Sequence, residues 1–132
     1  MDEKKAMTAR ELAESIVRVL DSKRARDIRL LHMTRENAIV DYCVLATGSS
    51  ATQIRALSGE VEEKMAERGA VLDHIEGHGG GTWVLMDYSS VAVHIFSREA
   101  REFYNLDRLW SDAEQIDISS LLVDNTAVGG NE

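Results

Sequence analysis

Leu12, Ala13, Ile16, Val17 and Leu20 recur at the spacing of one helical face, with mostly polar residues between them. Thr8 precedes this face and Glu11 follows three residues on, a capping box in which the hydroxyl accepts an early backbone N–H and the carboxylate reaches back. The pattern predicts a helix over 8–22. A second stripe, Ile54, Leu57, Val61 and Met65, predicts a helix over 50–68, closed by Gly69 where a left-handed cap belongs. A third apolar set, Phe103, Leu106, Leu109 and Trp110, predicts a helix over 98–110, with Asn105 as the point where it divides into two short pieces.

Between these helices lie runs of strand length, rich in Val, Ile, Leu and Tyr: 27–33, 40–46, 70–76, 82–88 and 91–96. The first two are joined by a short polar connection and read as an antiparallel pair. The last two are separated by Ser89 and Ser90, a tight hairpin with poorer turn chemistry than Asn-Gly or Asp-Gly. The "GHGGG" run at 77–81 reads as a mobile loop. The resulting order is αββαβββα, an α/β (α+β) fold with a mixed β-sheet flanked by helices. Residues 1–7 read as a flexible N-terminus, 8–115 as one folded domain, and 116–132, where periodicity fades, as a flexible tail.

Composition narrows the setting. A chain of 132 residues fits one domain and needs no disulfide staples; its one cysteine, Cys43, allows no internal bridge, which fits a reducing cytoplasm. No run approaches the roughly 20 apolar residues of a membrane span, and the acidic start has no apolar leader, so neither a membrane segment nor a secretory or transit signal is expected. The 15 basic and 23 acidic residues give a net charge of -8. Direct binding to DNA is not expected of such a surface, whereas a basic protein partner is well matched to it.

Candidate chemistry begins at "VLATGSSATQIRAL", residues 44–57, where a strand stops at a Gly-Ser-Ser turn and a helix follows. A helix N-terminus can hold an anion. A phosphate loop needs more glycines and a following Lys-Ser/Thr, and a dinucleotide fingerprint needs Gly-x-Gly-x-x-Gly; this turn has neither. Nucleotidyl transfer at a Gly-Ser turn also needs paired strand carboxylates for Mg²⁺, yet Asp73 and Glu76 point to opposite faces and Asp87 stands alone. The plainer reading is that Ser49 or Ser50 caps the helix. His74, Glu76 and His78 alternate as zinc ligands on one strand face could, but the pattern is short and suits an exposed polar face equally. Cys43 and His94 sit within apolar strands, where a buried inert thiol and a hydrogen-bonded histidine are the plain readings, and His32 reads the same way. Phe103, Tyr104 and Trp110, with Trp83 and Tyr88 upstream, divide between core and binding roles; Phe103 reads as core.

Taken in order, "VDYCVLATGSSATQIRAL", "EG" with a Trp six residues after the Gly, "WVLMDYSSVAVHIF" and "REFYNLDRLWSDA" resemble the Iojap-like ribosomal silencing factor S family over roughly residues 9–114. The resemblance implies a nucleotidyltransferase-like fold without catalysis, no cofactor and no metal. It also implies a partner: the large ribosomal subunit, bound through ribosomal protein uL-fourteen so that subunit joining is sterically blocked and translation is repressed. Of the matching positions, Trp83, Asp87, Tyr88, His94, Arg101 and Tyr104 are expected to shape the docking surface, with aromatic contact from Trp83, Tyr88 and Tyr104 and polar contact from the rest. Thr47, Gly48 and Ser50 are expected to fix the turn. His32 stands where the family usually has Asp, and Ser89 where Gly is common. Residual nucleotide binding, or nucleotidyl transfer, is the enzyme alternative. A homodimer of the free protein is a further expectation, because an uncovered docking face can self-pair.

Overall fold

The computed structural model describes residues 6–36, 38–77 and 79–122. Its elements are α1 (Ala9–Ser22), β1 (Arg26–His32), β2 (Tyr42–Gly48), α2 (Ala51–Glu67), β3 (His74–Glu76), β4 (Trp83–Asp87), β5 (Val91–Ser97), α3 (Arg98–Phe103) and β6 (Glu114–Ile116). Short 3-10 helices cover Leu106–Trp110 and Ser119–Leu121. The strands form one mixed sheet in the order β3-β4-β5-β2-β1-β6. β2 and β5 run parallel at its centre, and the remaining pairs are antiparallel. A parallel pair requires a long crossover, supplied here by α2, β3 and β4.

Each helix starts where its side chains satisfy the free N–H groups. The capping box at α1 is complete: Glu11 N donates to Thr8 Oγ1 at 3.0 Å, and Thr8 N donates to Glu11 Oε1 at 2.9 Å. Ser50 caps α2 by accepting from Gln53 N at 3.0 Å, and Ser97 caps α3 by accepting from Ala100 N at 3.0 Å.

α1 and α2 lie on one sheet face. Ile16, Leu20, Ile54, Leu57, Val61 and Met65 meet Val44, Met86, Val93 and Ile95 there, all at 0–1% exposure. Each such side chain contributes roughly 1.5–3 kcal/mol of transfer free energy. The alternate strand residues Leu31, Cys43, Leu45, Ala92 and Phe96 form a smaller cluster on the opposite face with Ala100 and Leu106. Among the described residues, α3 and the Leu106–Trp110 3-10 helix are the helical cover on that outer side.

Several boundaries differ from the sequence expectation for local reasons. The third helix ends at Phe103 because Asn105 takes left-handed angles, φ 50 and ψ 50, and the chain resumes as a 3-10 helix. The strand expected over 70–76 is reduced to its last three residues. Residues 116–122 of the expected tail belong to the fold: Ile116 pairs with Leu30 in the antiparallel β6, and Leu121 is buried in the helix-side core. The order is therefore αββαβββαβ; a three-residue strand leaves no periodicity to detect. Met7, expected in the flexible start, packs against the core and accepts a hydrogen bond from Ser15 Oγ. Residues 1–5 and 123–132 of the expected flexible ends lie outside the described residues, as does His78 of the glycine loop.

Candidate functional site

The outer face is built by strand alternation. Trp83, Leu85 and Asp87 of β4 lie beside Phe96, His94 and Ala92 of β5, and His94 has Leu45 of β2 as its partner on the other side. A polar ring thus stands between two leucines near the middle of an apolar sheet. The "EG…W" spacing has a steric cause: Gly77 takes φ +79, and a Cβ there would meet the Trp83 carbonyl oxygen at 2.1 Å.

The indole N–H of Trp83 donates to His94 Nδ1 at 3.1 Å. An accepting Nδ1 places the imidazole proton on Nε2. Trp110 packs against the same imidazole, with ring centroids 4.8 Å apart, and Trp83 and Phe96 lie within 6.0 and 6.3 Å of it. Burial pushes the His94 pKa down to about 4, so the ring is neutral at neutral pH. Trp83, Leu85, His94 and Trp110 are each half-buried. Cys43 behind them is buried, and burial pushes its thiol up to about 11, the state of an inert thiol.

Asp87 closes the hairpin: its Oδ1 accepts from Ser89 N at 2.7 Å. Its Oδ2 lies 3.6 Å from His74 Nδ1, while His74 Nε2 meets Glu76 Oε2 at 2.9 Å. Among the described residues the donors that come together are Asp73, His74 and Asp87, within 4.8 Å of one another; the candidate set His74, Glu76 and His78 includes a residue that is not described. His78 lies outside the described residues. Asp73 and His74 are exposed, an arrangement that an imidazole ringed by carboxylates at a sheet edge adopts without any ion.

The remaining expected docking residues do not join this face. Tyr88 is 5% exposed and belongs to the helix-side core, with its hydroxyl buried and without a hydrogen-bond partner. Burial, then the neighbouring Glu62, pushes its phenol up to about 12. Arg101 is 7% exposed, and its guanidinium is committed inside the protein, to Thr47 Oγ1 at 2.7 Å, the Asp27 carbonyl at 2.9 Å and the Asp107 carboxylate at 2.9 Å. It also lies over the Phe96 ring, 5.1 Å from the centroid. Both residues are therefore corrected from surface contact to architecture. Tyr104 is exposed as expected, at 62%. Phe103 was expected in the core and is instead 80% exposed, edge-on to Tyr104. The helix ends there, so its side chain projects past the last covered turn. Sequence reasoning missed Leu45 and Leu85 as the neighbours of His94; the alternation in "VAVHIF" was the available signal.

The Gly-Ser-Ser turn adjoins a cleft of about 880 Å³ at the ends of β2 and β5. Its four arginines, Arg26, Arg29, Arg98 and Arg101, are matched by Asp27, Glu99, Glu102 and Asp107, so it carries no excess positive charge for a phosphate. Two N–H groups at the turn are occupied: Ser49 N donates to the Gln53 side chain, and Gln53 N donates to Ser50 Oγ. Gly48 is required because a Cβ there would meet Ile54 Cγ1 at 2.5 Å. Among the described residues no helix is long and apolar enough to cross a membrane.

The chain matches the family described as ribosomal silencing factor during starvation (RsfS) over residues 6–130. It is 31% identical over 116 residues to a ribosomal silencing factor of Halalkalibacterium halodurans, covering 88% of this chain and 99% of that protein. It is 28% identical over 101 residues to a mouse protein named for mitochondrial assembly of the ribosomal large subunit, covering 74% of this chain and 44% of that protein. A crystal structure of a Chromobacterium violaceum protein superposes with a TM-score of 0.75 at 31% identity, over 79% of this chain and 87% of that one.

Proposed function

The chain belongs to the ribosomal silencing factor family, and on that premise we propose that it docks on the large ribosomal subunit through protein uL-fourteen. Bound there it blocks subunit joining sterically and represses translation, acting as a binding module in the cytoplasm. The observation that carries this reading is the outer sheet face, where Trp83, Leu85, His94 and Trp110 are left half-buried beneath incomplete helical cover. Aromatic anchors of this kind supply most of the energy in protein interfaces. The net charge of -8 favours a basic ribosomal protein over bare RNA. When no ribosome is bound, the same face is available for pairing with a second copy.

Co-sedimentation with large subunits, small subunits and reassociated ribosomes tests the proposal. Binding to large subunits alone, with fewer joined ribosomes as protein is added, supports it; absence of large-subunit binding removes it. The nucleotide alternative has the cleft beside Ser49 in its favour. It requires millimolar Mg²⁺-nucleotide to raise the melting temperature, since a ligand selective for the native state stabilises it.

A further inference from the structure

The hydrogen bond between Trp83 and His94 has a consequence for what the partner must offer. Trp83 Nε1 is a donor only, so the Nδ1 it reaches at 3.1 Å accepts, and the neutral ring carries its proton on Nε2. No described residue accepts from that Nε2. Among the described residues, the Tyr88 hydroxyl is the one fully buried side-chain polar atom without a partner. The His94 Nε2–H therefore keeps access to solvent, on a half-buried ring flanked by Leu45 and Leu85.

We propose that Trp83 positions His94 as a fixed Nε2–H donor, and that the docking partner sets an uncharged carbonyl oxygen against it. The inference rests on the outer face being the docking surface. Once that face is covered, an unpaired N–H loses its water and costs free energy, so an acceptor is required. A lysine or arginine cannot accept. A partner carboxylate would be desolvated beside half-buried Leu85, Trp83 and Trp110 with only a neutral donor opposite it, a poor exchange. An uncharged carbonyl fits both conditions.

Two substitutions separate the nitrogen positions. His94→Asn retains an amide oxygen near the Nδ1 place, within reach of Trp83, and has no donor at the Nε2 place. His94→Gln can set an amide donor near the Nε2 place. In large-subunit binding, His94→Gln is expected to stay within about threefold of wild type, while His94→Asn weakens binding about tenfold or more. Equal loss or equal retention in the two folded variants overturns the donor role.

Nitrogen-15 NMR of the full-length wild-type chain supplies a readout independent of folding in the variants and of any ribosome. The expected signature is a protonated Nε2 and an unprotonated Nδ1, with the tautomers mixing in Trp83→Phe. A protonated Nδ1 in wild type overturns the positioning by Trp83. If that signature is found but wild-type protein does not bind large subunits, the docking premise fails, and the carbonyl contact with it, while the positioning stands.

Discussion

Arg101 Nη1 donates to Thr47 Oγ1 at 2.7 Å and joins α3 to the end of β2, while the rest of the guanidinium grips Asp107 from the following 3-10 helix. One side chain thus adds polar ties among three segments that already share the apolar contacts of Leu45, Ala100 and Leu106. Replacing it by Ala leaves the buried Thr47 hydroxyl and the Asp27 carbonyl without this donor. Arg101→Ala is expected to cost about 2–3 kcal/mol in denaturant unfolding. Arg101→Lys should recover little, because an ammonium cannot span the fork of acceptors. An unchanged midpoint in Arg101→Ala would return this residue to the list of surface contacts.

Gly48 answers the question raised by the Gly-Ser-Ser turn. A methyl group there meets Ile54 Cγ1 at 2.5 Å, and Ile54 is fully buried, so it has no free direction in which to move. Gly48→Ala should destabilise the fold by about 1–3 kcal/mol, as overpacking does. Ile54→Ala, which removes Cγ1, opens a cavity of its own, but paired with Gly48→Ala it should cost less than the two single losses added. Independent, additive losses in the double variant would show that the two residues do not press on each other.

Ser89 adopts φ 73, a left-handed angle that glycine takes without the Cβ penalty. Its position in the Tyr88–Val91 hairpin is fixed on both sides, by the Tyr88 N–H to the Val91 carbonyl and by Asp87 Oδ1 on its own N–H. Ser89→Gly keeps both bonds, and is expected to raise stability by up to about 1 kcal/mol after the added freedom of the unfolded chain is deducted. A lower melting temperature would mean that the serine side chain contributes more than its backbone strain costs.

How much of this was legible in the sequence depended on the length of each signal. The α1 cap and stripe span a full helix, and Thr8 with Glu11 fixes where it begins, so the element was readable to within a residue. β6 is three residues long, and its pairing with β1 is a tertiary fact that no local period encodes. The docking set divided in the same way. Trp83, Asp87 and His94 were implied by the family resemblance, and strand alternation brings them to one face. Tyr88 and Arg101 were placed among the surface contacts by the same resemblance. What buries them is the packing of α2 over the hairpin and of α3 over β2, which becomes visible only when distant segments are assembled.

Surface anchors and structural residues should separate in binding assays. Tyr104 is 62% exposed and Trp83 half-buried on the outer face, so truncating either removes contact area without opening the helix-side core. Trp83→Ala is expected to weaken large-subunit binding by ~2 kcal/mol or more, with a smaller effect on folding. Tyr104→Ala should weaken binding without moving the unfolding midpoint by more than about 0.5 kcal/mol. Full affinity in the folded Trp83→Ala protein would exclude the outer face as the principal contact.

Acid should expose the neutral state of His94. Its ordinary pKa is near 6.5, and in the folded protein burial lowers it to about 4. Below pH 6.5 the unfolded chain takes up a proton that the folded ring refuses, so folding loses stability as pH falls through that window and the loss levels off near pH 4. Above pH 6.5 both states are neutral and the group contributes no slope. The full loss is on the order of 3 kcal/mol, from a lowering of 2.5 pH units. Carboxylates that titrate in the same range contribute slopes of their own, so the comparison is with His94→Gln, which cannot titrate. Denaturant unfolding at several points from pH 7 to pH 4 should show wild-type stability falling more steeply than that of the variant. Parallel curves would mean that the folded ring accepts its proton as readily as the unfolded one, by breaking the Trp83 bond and turning Nδ1 toward water.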